Sequence, residues 1–266
     1  MCFFWTVNII FSFWQDLKYY NRVGLQPDPG EGKGLQSGLD GAILTVFKKK
    51  FVMQVWLNRI FNFSAWLVLI SLSVYFFLDN VIAYFYGFRS RIFGNSFFHN
   101  QIWVVSHMTG GTLTLLLGPL QFSKYLRSRY VQFHRVSGKL YMFGIGLAGI
   151  SALRLSLIST CEPCRISLFL LAVLAILSTA FAWKAILSGN IKAHRQFMVR
   201  SYVCVMAFVA VRIDSVLPLD FLFGAIEDGL LRRVVNEYFF SFVPLLIAEV
   251  IMVWIPSVKY RTRKRK

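Results

Sequence analysis

The sequence predicts an all-α polytopic membrane protein, a bundle of six transmembrane helices. The chain of 266 residues is 56% hydrophobic and has a mean hydropathy of +0.57. Only 15% of its residues are charged, whereas about 25% is usual for a soluble domain. Six runs of roughly twenty residues are apolar enough to cross a bilayer. This composition excludes a disordered chain and an ordinary soluble enzyme.

The six predicted spans follow one another with short connections. They cover residues 64–83, 102–122, 136–157, 166–187, 197–217 and 238–255. Because lipid offers no hydrogen-bond partner to an open backbone, each span must satisfy its amides internally and is therefore a helix. No connection is long enough for another domain. Residues 53–258 thus form one transmembrane domain, and residues 259–266 form a basic tail.

The first 52 residues do not follow this pattern. Residues 1–14 are apolar but too short to span a membrane, and they lack the basic start of a signal peptide. Residues 26–41 have the composition of a flexible loop. Two interpretations stay open: an interfacial helix followed by a linker, or a native start at Met53. We expect the second and assign no function to this extension.

The distribution of basic residues predicts the orientation. The chain has 29 Lys and Arg against 12 Asp and Glu. Nineteen of these basic residues fall on one side of the predicted spans and seven on the other. By the positive-inside rule, the richer side is cytoplasmic. We expect both termini in the cytoplasm, the cell's inner (plasma) membrane as the location, the lipid bilayer as a partner, and no nucleic-acid binding, since no soluble basic module remains.

A His-Arg pair precedes both the third and the fifth predicted span. The pairs are His134-Arg135 and His194-Arg195. Since both stand at equivalent positions on helices that run in the same direction, their imidazoles are expected at one depth. This equal depth makes them the first candidates for a functional site.

Polar and small residues form a line along one side of the second predicted span. His107, Gly111, Thr114, Gly118 and Gln121 recur at helical intervals, which places them within about 40° of one line along the helix. In a membrane such a line must face protein or a cavity. Its last member is expected close to the two His-Arg pairs.

Four charged residues fall within the spans or at their ends: Arg154, Arg212, Asp214 and Glu249. A charge at the bilayer centre costs at least ~2.5–3.5 kcal/mol on insertion scales, so such groups are functional candidates. The alternatives are ion pairing and extension of the charged end toward the membrane surface.

Cys161 and Cys164 form a C-x-x-C motif in the loop between the third and fourth spans. This loop is expected on the outer side, where a disulfide can persist. Three alternatives stay open: a redox dithiol at a helix start, a disulfide that closes the loop, or inert thiols.

Gly144, Gly146 and Gly149 match the G-x-G-x-x-G pattern of dinucleotide sites. That function requires a preceding strand, which a transmembrane span does not contain. Close helix packing explains these glycines better.

Several short motifs follow one another along the spans. They are HMTGG at 107–111, LGPLQF at 117–122, His134-Arg135 with Gly138 and Tyr141, AHRQFMVRSY at 193–202, and Ala248-Glu249. In this order they resemble a bacterial membrane-protein family named domain of unknown function 2306. The resemblance covers roughly residues 61–254 and implies a polytopic membrane protein with no established activity. The C-x-x-C motif and the first fifty residues lie outside the pattern.

Two function classes stay open. The first is a b-type haem protein, in which His134 and His194, with His107 as a further candidate ligand, bind the iron of haem b. Such a protein would be a membrane oxidoreductase or electron carrier with a partner such as a quinone. No other metal is expected.

The second class binds an anion or a phospholipid headgroup without haem, either to hold it or to transport it. Helix N-termini bind phosphate, and basic side chains near a membrane surface attract anionic lipid. The residues expected to do so are Arg135, Arg195, Arg200 and Gln121.

Overall fold

The computed structural model is a helical bundle in the part of the chain that it describes, residues 97–213 and 220–258 with seven scattered positions between 64 and 78. Its helices are α1 (Phe97–Phe122), α2 (Lys124–Arg129), α3 (Val131–Leu157), α4 (Cys164–Leu187), α5 (Ile191–Ile213), α6 (Asp220–Phe223) and α7 (Gly229–Glu249). A π-helical turn, Val250–Trp254, continues α7. The described residues contain no strand, in agreement with the predicted all-α class.

Three of the described helices are long and apolar enough to cross a membrane. They cover Val131–Leu157, Cys164–Leu187 and Gly229–Val258. Helices α1 and α5, with 26 and 23 residues, coincide with two more of the predicted spans but are not among these three. The architecture is that of a helical membrane protein, and the number of six spans stays a prediction.

Some sequence-based assignments lie outside the described residues. They concern the extension 1–52, the tail 259–266, most of the first predicted span at 64–83, and Asp214. The described positions of the first span are helical or π-helical and exposed.

Burial along α4 indicates that lipid surrounds the bundle. Ser167, Ser178 and Thr179 are buried, whereas Phe169 and Phe181 are exposed. In water this arrangement would expose apolar rings and bury hydroxyl groups. In a bilayer it is favourable, because helices associate through small and hydroxyl-bearing residues while apolar side chains meet the lipid tails.

A close contact between α1 and α3 requires glycine. A Cβ atom on Gly110 would lie 2.5 Å from the carbonyl oxygen of Gly144. Gly149 packs in the same way against Ile176 of α4, where a Cβ would lie 2.6 Å from a side-chain carbon. Gly146 meets no atom within 4 Å and lines an apolar cleft of about 460 Å³. The helix-packing interpretation is confirmed for Gly144 and Gly149 and wrong for Gly146.

A chain of hydroxyl groups joins α3, α5 and α4 in the core. Tyr141 Oη lies 2.9 Å from Ser201 Oγ, which lies 2.7 Å from Thr179 Oγ1. Thr179 donates to the carbonyl oxygen of Ala175 at 2.8 Å. Because this last acceptor is a carbonyl, Ser201 must donate to Thr179, and Tyr141 must donate to Ser201. The three hydroxyl groups are therefore satisfied away from water.

The bundle has two ends. The basic end, as we name it, contains the α1–α3 connection, the α4–α5 connection and the π-helical turn. There Gln196 of α5 donates to the carbonyl oxygen of Met252 at 3.4 Å. The opposite end contains the α3–α4 loop and the start of α7, where Tyr238 donates to the carbonyl oxygen of Pro163 at 3.2 Å. Helix α7 thus runs from the opposite end to the basic end.

Candidate functional site

Charge is distributed unequally between the two ends. Within the described ranges, the basic end has nine cationic residues and one carboxylate: Lys124, Arg127, Arg129, Arg135, Lys139, Lys184, Lys192, Arg195 and Arg200 against Glu249. The opposite end has five of each kind along the same ranges: Arg154, Arg165, Arg212, Arg232 and Arg233 against Glu162, Asp220, Glu227, Asp228 and Glu237. An excess of positive charge attracts anions. The basic end is therefore where an anion is expected to bind.

The line of small and polar residues on α1 faces the protein, as predicted, at its central and last members. Thr114, Gly118 and Gln121 are buried. Gly118 lies so close to the ring of Tyr202 that a Cβ atom at this position would overlap the ring carbons. Gln121 is thereby directed into the bundle at the basic end.

Gln121 determines the tautomer of His134. Its amide lies between the carbonyl oxygen of His134, which can only accept, and the N–H of Gly138, which can only donate. The amide nitrogen therefore faces the carbonyl at 3.3 Å and also lies 3.1 Å from Nδ1 of His134. The amide oxygen accepts from the N–H of Gly138 at 3.2 Å. Nδ1 of His134 is then an acceptor, so the neutral ring carries its proton on Nε2.

His194 has the opposite tautomer. Its Nδ1 lies 2.9 Å from the carbonyl oxygen of Ala182 on α4. Nδ1 therefore carries a proton, and the neutral ring presents a lone pair at Nε2. Burial lowers the pKa of His194, which precedes the predicted span, below its ordinary value of 6.5. The bond to Ala182 opposes this shift, while the charges of Arg195 and Arg127 add to it.

Three arginines lie within electrostatic range of one or both histidines. His134 and His194 lie within electrostatic range of each other, and Arg127 and Arg195 lie within range of both rings. Arg135 also acts on His134. Along the described chain, every charged group that acts on either ring is positive. We call these five residues the cationic cluster.

One member of the cationic cluster has an unsatisfied donor. The Nε of Arg195 is buried and has no hydrogen-bond partner among the described residues. A buried donor without a partner costs about 1–3 kcal/mol. A bound anion would provide the acceptor that this group lacks.

The two helix N-termini at the basic end differ. Helix α5 is capped by Asn190, whose Oδ1 accepts from the N–H of Ala193 at 3.0 Å. Helix α3 begins at Val131, and the preceding Tyr130 forms no side-chain cap. The amides of α3 thus remain the better phosphate donors of the two predicted helix starts.

Arg200 forms an ion pair outside the cationic cluster. Its guanidinium donates to both carboxylate oxygens of Glu249, with Nη2 at 2.9 Å from Oε2. It also lies over the ring of Phe197, 4.9 Å from the centroid. The Nε and Nη2 donors of Arg200, which could bind two oxygens of a phosphate, are therefore already used by Glu249. In contrast to the sequence-based expectation, we exclude Arg200 from the anion site and assign Glu249 as its partner.

His107 lies away from the cationic cluster. Its Nδ1 donates to the carbonyl oxygen of Ala148 on α3 at 3.0 Å, and its ring packs edge-on against Phe208 of α5 at 5.5 Å between centroids. These contacts place His107 between α1, α3 and α5 in the half of the bundle nearer the opposite end.

Two of the other charges predicted within the membrane lie in helices that reach the opposite end. Arg154 is exposed in the last turn of α3, and Arg212 lies near the end of α5. Asp214 falls outside the described residues. Arg154 is thus not brought to the two histidines.

Cys161 and Cys164 are joined by a disulfide in the α3–α4 loop. Both residues are buried. The loop is held further by Arg165, whose Nε donates to the carbonyl oxygen of Ser159 at 2.9 Å. This arrangement corresponds to the loop-closing alternative.

Sequence reasoning missed a buried carboxylate on α7. Glu237 is 9% exposed, and Ser241 Oγ donates to it at 3.5 Å. The predicted span at 238–255 begins one residue later and therefore does not include Glu237. A carboxylate that borders an apolar run is the signal that could have identified it.

The histidine pair fits haem only in part. Bis-histidine ligation needs a lone pair from each imidazole, with the other ring nitrogen donating to the protein. His194 meets this condition through its bond to Ala182. His134 does not, because the Gln121 amide places its proton on Nε2.

Comparison with known proteins finds a family for this chain. Residues 104–253, more than half of its length, match a family described as a predicted membrane protein, domain of unknown function 2306. The chain belongs to this family. The matched region includes both histidines, the cationic cluster and the Arg200–Glu249 pair. No curated protein and no solved structure matches the chain.

Proposed function

We propose that this membrane protein binds a phosphate-bearing anion in the cationic cluster at its basic end. The observation that carries the proposal is the composition of that cluster, in which three arginines lie within electrostatic range of the histidines and no carboxylate of the described residues does. A concentration of positive charge attracts anions. A bound anion would supply negative charge at this position.

Phosphate is the anion that suits these donors best. A guanidinium group donates two parallel N–H bonds to two oxygens of a phosphate. Arg195 contributes a buried Nε with no partner in the described chain. His134 adds a donor at Nε2, as its tautomer requires.

The phosphate can come from two sources that share this chemistry. One is a soluble phosphate ion, and the other is the phosphate of a lipid headgroup, which lies at the depth of the helix ends. The protein would bind the first as a ligand or transported ion and the second as a headgroup.

Titration of the purified full-length protein tests the proposal for both sources. Binding of inorganic phosphate is measured by calorimetry in detergent. Binding of lipid is measured in phosphatidylcholine nanodiscs by brominated phosphatidic acid, which quenches tryptophan fluorescence. Trp183 and Trp254 are exposed in the helices that end at the basic end and would report it.

Paired arginine variants make the test specific. We expect Arg195→Gln to weaken binding about tenfold or more, because it removes hydrogen bonds to a charged ligand. The matched control is Arg154→Gln, which removes an exposed arginine at the opposite end and should leave binding unchanged. Equal losses in both variants, or no binding by the wild type, would contradict the proposal.

We assign the basic end to the cytoplasmic face of the inner (plasma) membrane. The excess of basic residues at this end supports the assignment by the positive-inside rule. Membrane-impermeant maleimide applied to intact cells tests it in a Cys2→Ser background. We expect labelling of Glu227→Cys at the opposite end, and labelling of Ser188→Cys only after permeabilisation. The reverse pattern would overturn the orientation.

Haem b at His134 and His194 is the second candidate function. It is supported by the hydrogen bond from Nδ1 of His194 to the carbonyl oxygen of Ala182. This bond leaves a lone pair on Nε2, which a haem ligand requires. It requires the Gln121 amide to turn so that His134 Nδ1 donates to its oxygen. A Soret band in the purified protein that His194→Ala abolishes would establish this alternative. A protein without the band would exclude it.

A further inference from the structure

The two histidines of the cationic cluster present opposite hydrogen-bonding atoms. Nε2 of His134 carries a proton and donates, since its Nδ1 accepts from Gln121. Nε2 of His194 has a lone pair and accepts, since its Nδ1 donates to Ala182. Among the described residues, neither Nε2 has a hydrogen-bond partner. The pair therefore offers one donor and one acceptor within electrostatic range of each other.

The protein fixes both tautomers with rigid groups. Ala182 is fully buried in α4, so its carbonyl oxygen is held by the helix. The Gln121 amide is buried, and both of its ends are satisfied by the backbone of α3. Neither ring can change its tautomer without breaking one of these bonds. The donor and the acceptor are thus set before a ligand binds.

We infer that the site selects a phosphate group that still carries a proton over anions that carry none. The inference rests on the proposed function and names its ligand class: inorganic phosphate or a singly protonated phosphomonoester. The arginines and His134 donate to the unprotonated oxygens. His194 Nε2 can only accept, and it needs the P–OH proton.

Anions without a proton cannot donate a hydrogen bond to Nε2 of His194. A sulfate ion, or a phosphodiester without hydroxyl groups, would place an oxygen lone pair against the lone pair of Nε2. Where the bound anion excludes water from Nε2, an acceptor left without a donor costs enough to reduce affinity about tenfold. Inorganic phosphate keeps a proton at neutral pH, and a phosphomonoester loses its last one near about pH 6.

The surroundings of His194 keep it an acceptor. Its burial, together with the charges of Arg195 and Arg127, lowers the pKa of the imidazole. A protonated ring would donate from both nitrogens and would no longer distinguish the two kinds of anion. The arginines therefore attract the ligand and also preserve the lone pair that accepts a hydrogen bond from its P–OH group.

Two ligand pairs test the inference on the full-length wild-type protein. The first is phosphate against sulfate by calorimetry in detergent, above the second pKa of phosphate, where both are tetrahedral dianions and only phosphate has a proton. The second is phosphatidic acid against phosphatidylmethanol in nanodiscs at about pH 6, where about half of the phosphomonoesters are singly protonated. These lipids differ by a methyl group on one phosphate oxygen. We expect at least tenfold preference for the protonated member.

Two lysine variants assign the preference to His194. His194→Lys replaces the acceptor by a donor, so the ratio of phosphate to sulfate affinity should fall to about one. His134→Lys replaces a donor by a donor and should keep the wild-type ratio. Helix content measured by circular dichroism checks the fold of both variants.

The outcomes separate this inference from the proposed function. Equal affinity of the wild type for phosphate and sulfate, and for the two lipids, would overturn the inference and leave the anion site in place. A His194→Lys variant that keeps the preference would overturn the role of His194. Failure of the wild type to bind any of the four probes would overturn the proposed function as well. Binding in one pair alone identifies the source of the phosphate.

Discussion

The two ends of the bundle accommodate charge in different ways. At the opposite end the charges are balanced by nearby groups: Glu162 lies 3.8 Å from Arg165 in an ion pair, and Asp228 caps α7 by accepting from Leu230 at 2.8 Å. At the basic end the described ranges contain one carboxylate and nine cationic residues. That carboxylate, Glu249, pairs with Arg200. The two ends therefore differ in how much negative charge the described residues place beside their cations.

His107 and His194 show the same difference at the level of one residue. Each donates from Nδ1 to a backbone carbonyl, at 3.0 Å and 2.9 Å. His107 packs against an aromatic ring, whereas His194 lies among arginines. The local geometry of an imidazole is thus insufficient to make a site, because the surrounding charge decides which ligands are attracted to it.

The contact between α1 and α3 holds both ends in register, and breaking it should have the largest effect. We expect Gly110→Leu to lower the free energy of unfolding by about 3 kcal/mol, the upper range for overpacking, because even a Cβ would lie 2.5 Å from the Gly144 oxygen. Thermal unfolding in detergent measures it. The neighbouring Gly111→Ala meets no atom within 4 Å and should stabilise the helix by about 0.5–1 kcal/mol. Equal effects would refute the close contact.

Removal of the one carboxylate at the described basic end should have the next largest effect. Glu249→Gln leaves Arg200 without its partner, and we expect a loss of about 2 kcal/mol, less than for a fully buried pair, since the two side chains are 17% and 35% exposed. Glu227→Gln, exposed at the opposite end, should change nothing measurable. Unfolding by denaturant compares the two variants, and similar losses would argue against the difference between the ends.

Opening the disulfide should affect the opposite end alone. The double change Cys161→Ser and Cys164→Ser should lower the free energy of unfolding by about 1 kcal/mol. This value is small because the disulfide joins residues only three apart and closes a short loop. Phosphate affinity at the basic end should stay at the wild-type value. A loss of phosphate binding in this variant would show that the two ends are coupled, which the comparison does not expect.

The smallest effect should appear as pH falls below 6.5. The pKa of His194 is lower in the folded protein than its ordinary value of 6.5, so the unfolded chain takes up a proton that the folded chain does not. Stability contributed by neutral His194 is therefore present above this pH and is lost as the pH decreases. Melting temperatures measured over this range should fall more steeply for the wild type than for His194→Asn. Parallel curves would contradict the shift.

Apolar runs predicted where the helices end better than where they begin. The spans predicted to end at residues 122, 157 and 187 do so in the structure. The last helix, however, begins at Gly229, nine residues before the predicted start at 238. Its first turns contain Arg232 and Arg233, which interrupt the apolar run without interrupting the helix. Hydropathy detects the part of a helix that contacts lipid, whereas hydrogen bonding continues beyond it.

The sequence indicated the site's residues but not their partners. Equal depth of His134 and His194 follows from their positions at two helix starts. The amide of Gln121 against His134, and the pairing of Arg200 with Glu249, depend on how the helices are rotated against one another. Since rotation is set by packing of small residues such as Gly110 and Gly144, it could not be read from one chain.

The directed chain from Tyr141 through Ser201 to Thr179 has a consequence for how the bundle comes apart. Its three O–H dipoles point the same way, and in a medium of low dielectric each polarises the next and strengthens it. Ser201 alone belongs to both bonds, so neither α3 nor α4 can leave α5 without stranding a hydroxyl group in an apolar interior. These three helices should therefore open as one cooperative unit, with amide hydrogens that exchange on a common timescale.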